Sequence, residues 1–276
     1  MILSGIKHIQ LRVKDIRHMT QFYQHVLGMV VLEEKQGIAI LGTKEKALLT
    51  LIEHPSFTEP KEPVLGLYHV AYLLPERTYL AAFLKHIIDT KTLIEGASDH
   101  GVSEAIYMRD PEQNGIEIYV DRPKTMWPMS QGTLNMFTQV MDIEDLMTLS
   151  IPFEGLPTGT MIGHVHQHVD NISTHESFYR YGLGMDLVLS YGSSASFLSY
   201  DGYHHHIGIN TWKGRSIPKP LKTDYGLDLV TLAYESEETL SSVIKALEKH
   251  SYFVAKQDDG WLTEDPSGHR YLLVSQ

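Results

Sequence analysis

The sequence predicts an α+β protein made of four copies of one strand–helix–strands unit, and three observations predict it. Residues 8–29 (HIQLRVKDIRHMTQFYQHVLGM) and 164–185 (HVHQHVDNISTHESFYRYGLGM) match at a single offset of 156: His8 with His164, Asp15 with Asn171, Phe22-Tyr23 with Phe178-Tyr179, and Leu27-Gly28-Met29 with Leu183-Gly184-Met185. Residues 69–88 (HVAYLLPERTYLAAFLKHII) and 228–250 (DLVTLAYESEETLSSVIKALEKH) form a second pair, and each runs on to an Asp-Pro turn, Asp110-Pro111 and Asp265-Pro266, 155 residues apart. The composition, 42% hydrophobic and 21% charged over 276 residues, is that of a globular chain long enough for one large or two small domains.

Each copy opens on a short alternating strand, turns, continues as an amphipathic helix, and starts a new strand. The segment Asp110-Pro111-Glu112-Gln113-Asn114-Gly115 is a tight turn by composition, followed by a strand at 116–120. Asp265-Pro266-Ser267-Gly268 repeats it before a strand at 271–274. The copies lie near 6–54, 66–123, 160–212 and 226–276. Segments 55–66, 123–133 and 152–163 carry the Pro and Gly of connectors, and 134–151 reads as one linking helix. The chain divides into 1–123 (modules one and two), a linker at 124–159, and 160–276 (modules three and four).

Several function classes fall away on composition. No stretch approaches the ~18 apolar residues of a membrane span. The first ten residues lack the apolar run of a signal peptide, so a cytoplasmic protein is expected. With no cysteine there is no disulfide, thiolate zinc site, iron–sulfur cluster or thiol nucleophile. A net charge of −11 argues against nucleic acid. The 16 histidines stand out, and any metal must be held by imidazole and carboxylate.

His164, His166 and His168 share one strand face and make a poor apolar core, so they face solvent or a polar cavity, while Val165 and Val169 face the other way. His204, His205 and His206 are consecutive, so at least one ring points away from the other two. They are either a solvated turn after Asp201-Gly202 or part of a site. His69 sits in an apolar strand, as a core histidine or a ligand. Glu117 lies between apolar neighbours in Gly115-Ile116-Glu117-Ile118-Tyr119-Val120. A buried carboxylate there costs several kcal/mol unless paired or metal-bound; the alternative is the wet face of an edge strand. Two His and one carboxylate without thiol is the facial set of non-haem Fe(II) oxygenases. No phosphate loop or nucleophile elbow is present, and Asp99-His100 lacks the activated Ser of a triad. Phe22-Tyr23 and Phe178-Tyr179 read as helix core, and Met126-Trp127-Pro128-Met129 as linker packing.

The four units resemble the βαβββ module of the vicinal oxygen chelate superfamily, which includes glyoxalase I, bleomycin-resistance proteins and extradiol dioxygenases. Ile162-Gly163-His164-Val165-His166 is similar to the first metal-ligand strand of type I extradiol dioxygenases. Gly202-Tyr203-His204-His205-His206-Ile207-Gly208 resembles their paired-histidine strand. Ser98-Asp99-His100-Gly101-Val102-Ser103-Glu104-Ala105-Ile106-Tyr107, followed ten residues on by Glu117, resembles the segment holding their site tyrosine and carboxylate ligand. The resemblance implies two cup-shaped sheet pairs and Fe(II)- and O2-dependent meta-cleavage of a catechol to a hydroxymuconic semialdehyde, with Mn(II) as an alternative metal. It implies His69, His164 and Glu117 as metal ligands and His205 as acid–base residue with Tyr107 beside it, His204 being the alternative. The expected partners are a small aromatic diol and O2, with no nucleic acid and no membrane, and a homo-oligomer is left open. Two rival readings remain on the same fold: a glyoxalase-like isomerase or thiol transferase with Zn2+ or Ni2+, and a non-catalytic binding protein.

In the usual extradiol arrangement the metal lies between modules three and four. Here the position matching His69 in module four is Asp228, and the one matching Glu117 is Leu272. Module four therefore lacks its ligands, and the expected metal lies between modules two and three. The competing expectation pairs modules one and two, with His8 as third ligand.

Overall fold

A computed structural model describes residues 3–276 and contains four βαβββ modules. Module one runs from strand Leu3–Val13 through helix Ile16–His25 to strands Val30–Lys35, Ile38–Gly42 and Ala47–Glu53. Module two has strand Gly66–Leu73, helix Arg77–Asp89 and strands Gly96–Asp99, Ser103–Arg109 and Gly115–Asp121. In module three, strand Met161–His168 leads to helix Ile172–Ser177, a π-turn Phe178–Gly182, and strands Asp186–Ser190, Ala195–Ser199 and Ile207–Asn210. Module four consists of strand Gly226–Tyr234, helix Glu237–Lys249 and strands Val254–Gln257, Gly260–Glu264 and Arg270–Ser275.

Local chemistry sets these boundaries. Asp15, Asn171 and Ser236 stand just before their helices, and each side chain accepts the backbone N–H three residues on. The module-four helix buries Leu240, Val243, Ile244 and Leu247, spaced for one face. After the module-one helix, Gly28 takes φ 72°, and a Cβ there would stand 2.4 Å from the Gly155 Cα.

Within every module the first strand runs parallel to the last: Ile9 opposite Leu49, Val70 opposite Ile116, Val165 opposite Ile207, Val230 opposite Tyr271. Between modules the first strands pair antiparallel and crosswise. Gly66–Leu73 lies against Met161–His168, and Leu3–Val13 against Gly226–Tyr234. Modules two and three therefore make one cup, and modules one and four the other. Segments 3–123 and 160–276 each give one module to each cup. The pairing of Ile6 with Ile162 joins the cups into one 17-stranded sheet.

On the helix side the modules are tied in sequence order. The Tyr23 hydroxyl donates to Asp110 at 2.9 Å, and the Tyr179 hydroxyl to Asp265 at 2.9 Å. Each buried aspartate also accepts from backbone amides of its own Asp-Pro turn. The repeated Phe-Tyr pairs and Asp-Pro turns are thus two ends of one structural tie. Burial pushes the Asp110 carboxyl up to about 6, against the hydrogen bonds from Asn114.

The single helix expected over 134–151 is corrected. Residues Met129–Ser130 and Thr133–Leu134 form a hairpin, and Gln139 and Val140 pair with Asp99 and Ser98. Only after Asp142, which caps the Asp145 amide, does a short helix Ile143–Met147 form. Phe137, Thr138 and Val140 favour extended backbone, and pairing with the edge strand Gly96–Asp99 outweighs the weak helical pattern. Among the described residues no helix is long and apolar enough to cross a membrane.

Candidate metal centre

The seam between modules two and three brings His69, Glu117 and His164 together. His69 stands opposite His166 across the antiparallel seam, and Glu117 stands opposite Ala71 in the neighbouring parallel strand. One donor atom from each of the three side chains lies within 4.8 Å of the others, and all three residues are buried. His164 Nε2 is hydrogen-bonded to Glu117 Oε2 at 3.1 Å. His69 Nε2 approaches the same oxygen at 3.1 Å without hydrogen-bond geometry and is left a buried nitrogen with no partner. Burial, then the rings of His166 and His164, pushes His69 well below the usual imidazole range and keeps it neutral. Two imidazoles and a carboxylate converging on one buried point, one nitrogen unsatisfied, is a demand that a divalent cation meets. The residues fit such an ion.

Close packing holds this set. The Tyr119 ring lies 5.0 Å from His164, and a Cβ on Gly163 would fall 1.7 Å from the Tyr119 hydroxyl. Gly163 therefore lets Tyr119 reach the strand and brace the His164 ring.

Of the consecutive histidines, only His205 lines the cavity above the three donors, its ring 4.0 Å from that of His164. His204 is buried outside the cavity wall, its Nε2 2.9 Å from Asp121 Oδ1 and its Nδ1 2.7 Å from His205 Nδ1. His206 is bonded to the Ser199 hydroxyl. Tyr107, opposite Glu117 in register, has its hydroxyl 2.7 Å from His100 Nε2. His100 Nδ1 donates to the Phe137 carbonyl, so in the neutral ring Nε2 accepts from Tyr107. Burial, then Glu117, pushes the Tyr107 phenol well above its usual range, keeping it an O–H donor. His166 lines the cavity and accepts from Asn210, and His168 is bonded to the same Asn210. His8 lies in the other cup, bonded to Thr50. The cavity measures about 440 Å³ and is walled by Tyr68, Phe137, Tyr191, Phe197 and Trp212 among others.

The family model of the Glyoxalase/Bleomycin resistance protein/Dioxygenase superfamily matches residues 5–118. A catechol-2,3-dioxygenase of Bacillus subtilis is 38% identical over 98% of this chain and 96% of its own length. This chain belongs to that superfamily. A biphenyl-2,3-diol 1,2-dioxygenase of Rhodococcus globerulus is 28% identical over 44% of this chain and 65% of its own. Among solved structures, glyoxalase I from Zea mays superposes with a TM-score of 0.60 at 14% identity (98% of this chain, 92% of that one), and the cppA protein of Streptococcus pneumoniae with 0.62 at 15% (all of both chains). At those identities the likeness is one of fold.

The chain is a dioxygenase of the superfamily, with a site for a metal. Three parts of this dioxygenase's site escaped the sequence reading. His100, quoted in the resembling segment and rejected as part of a serine triad, gets no role of its own from the sequence, although it lies seven residues before Tyr107, just after the strand Gly96–Asp99. Asp121 is four residues beyond Glu117 on the same strand face, and that spacing was the available signal. Met136, Phe137 and Thr138 reach the cavity only because the segment is extended rather than helical.

Proposed function

We propose that the chain is an extradiol dioxygenase that cleaves a catechol with O2 to a hydroxymuconic semialdehyde, using Fe(II) held by His69, Glu117 and His164. The observation that carries this reading is the convergence of two imidazoles and one carboxylate at the floor of an aromatic-walled cavity, with a further imidazole, His205, packed beside them at a tilt. The names of the two relatives, both diol dioxygenases, point to the same substrate class.

When bound by His69, Glu117 and His164, iron(II) would supply one-electron chemistry between the diol and O2; Mn(II) suits the same donors. The ring bond beside the hydroxyl pair breaks, and both atoms of O2 enter the product, one at the hydroxyl-bearing carbon that becomes the acid and one at the neighbouring carbon that becomes the aldehyde. His205 takes a diol proton at Nε2, the nitrogen its contact with His204 leaves free. Tyr107, whose O–H is donated to His100 Nε2, stands beside Glu117 with its oxygen left to accept. Phe137, Tyr191, Phe197 and Trp212 exclude water and stack on the ring. Among the described residues the cavity wall carries no Lys or Arg, which suits an uncharged aromatic ring.

The test is anaerobic reconstitution with Fe(II), followed by a catechol and air. A yellow ring-fission product is expected. No colour with any of several substituted catechols would defeat the reading and favour a glyoxalase-like isomerase.

A further inference from the structure

The strand Gly115–Asp121 presents Glu117, Tyr119 and Asp121 on one face. Glu117 belongs to the metal centre, while Asp121, at the end of the strand, reaches His204 instead. Asp121 Oδ1 lies 2.9 Å from His204 Nε2, and His204 Nδ1 lies 2.7 Å from His205 Nδ1. The His204 ring cannot swing out of this line. It is fully buried, with Tyr203 at 4.1 Å, Trp127 at 5.5 Å and Tyr119 at 6.1 Å. Asp121 is a quarter exposed.

Hydrogen-bond bookkeeping then leaves one arrangement. An ionised Asp121 only accepts, so His204 Nε2 carries the proton between them. A neutral His204 has a bare Nδ1, so the proton in the next contact sits on His205 Nδ1. The remaining nitrogen, His205 Nε2, is bare, and His205 lines the cavity. The reverse order would require a protonated Asp121.

We propose that Asp121 and His204 are positioning residues, which hold His205 in the tautomer whose bare Nε2 can take a proton from the substrate hydroxyl. This rests on the reading of His205 as the acid–base group. The proton moves from the diol oxygen to His205 Nε2, and the positive charge that results is stabilised through His204 by Asp121. No electron transfer is involved. A carboxylate that sets an imidazole's tautomer is worth up to about 10⁴ in turnover when it touches the base directly. Acting through a second ring, a loss of about 10- to 1,000-fold is expected on its removal.

The experiment is 15N-histidine NMR of the full-length chain loaded with diamagnetic Zn2+, with His205 signals assigned by their loss in His205→Phe, alongside turnover of the iron-loaded forms. We expect a protonated Nδ1 and a bare Nε2 on His205. In His204→Phe, which removes the acceptor, and in Asp121→Asn, whose amide can donate to His204, the proton is expected to shift to His205 Nε2. Turnover should then drop by the stated factor with KM within two-fold and metal content unchanged. A protonated Nε2 in the unsubstituted chain overturns the proposal, as does a pair of variants that alter neither the His205 signals nor turnover. If His205→Phe itself keeps full turnover, the failure lies in the acid–base reading, which the tautomer spectra do not decide.

Discussion

The two cups share one backbone plan and differ in what their first and last strands carry. In the cup of modules two and three the seam holds His69, Glu117 and His164 around a cavity of about 440 Å³. In the cup of modules one and four the strand registers put Leu229, Leu272 and His8 at the matching positions, which corrects the sequence match of His69 with Asp228 by one residue. Asp228 is neutralised by Arg270 at 3.0 Å and Arg12 at 3.6 Å, and His8 is bonded to Thr50. Leu272 offers no donor. The first cup gathers unsatisfied donors, and the second pairs its polar groups internally. Duplicated strands supply a register, and single side chains decide whether that register becomes a site or a wall.

Glu117→Ala should break the comparison most completely, by leaving neither cup with a carboxylate at the last-strand position that Glu117 holds. We expect it to lose stoichiometric iron and all turnover while circular dichroism stays that of the folded chain. The two equivalent histidines sharpen the same contrast: His164→Ala should lose the iron and His8→Ala should keep it, by metal analysis after reconstitution. The opposite pattern would move the centre to the other cup. Next in size, His205→Phe is expected to keep its iron and lose about 10²- to 10⁴-fold in kcat.

A third prediction concerns acid. Burial first lowers His8 and His168 to about 4 and His206 to about 3. These rings stay neutral in the folded chain below pH 6.5, whereas the unfolded chain takes up protons there. Stability should therefore fall as pH drops from 6.5 toward 4, each ring contributing up to about 1.4 kcal/mol per pH unit. Asp110, raised to about 6, binds its proton earlier in the folded chain and opposes the trend by one equivalent between pH 6 and 3.8. Thermal melts across this range should show the net loss, with a flat profile as the contrary result. Two of the three rings belong to the metal-side cup, so His8→Gln should relieve only the smaller share.

The smallest effect lies in the ties outside the cups. Tyr179 bonds Asp265, Gln167 and Tyr271, all buried, while Tyr23 bonds Asp110 alone. Tyr179→Phe should cost about 1–3 kcal/mol and Tyr23→Phe about 1 kcal/mol in denaturant melts. Equal losses would mean that the larger network adds nothing.

The four-module plan, the turn residues and the types of ligand were determined by the sequence itself, because they rest on local periodicity and on repeats read at fixed offsets. His69, Glu117 and His164 were legible as candidates because each sits in a regular strand, where alternation predicts its face. Within the run His204–His206 alternation could not say which ring faces the site, since the run lies before the strand Ile207–Asn210, in a loop where no period applies; only the resemblance singled out His205, with His204 as alternative. Nor could the extended form around Gln139 and Val140 be read, because it comes from pairing with Asp99 and Ser98, 40 and 42 residues away in sequence. Between the two expected pairings, modules two with three or one with two, the tertiary structure decided for the first: Gly66–Leu73 lies against Met161–His168, and Glu117 and His164, 47 residues apart, come within 3.1 Å. The reason is physical: strand pairing between modules is a long-range choice among chemically similar edges, and it leaves no local pattern in the chain.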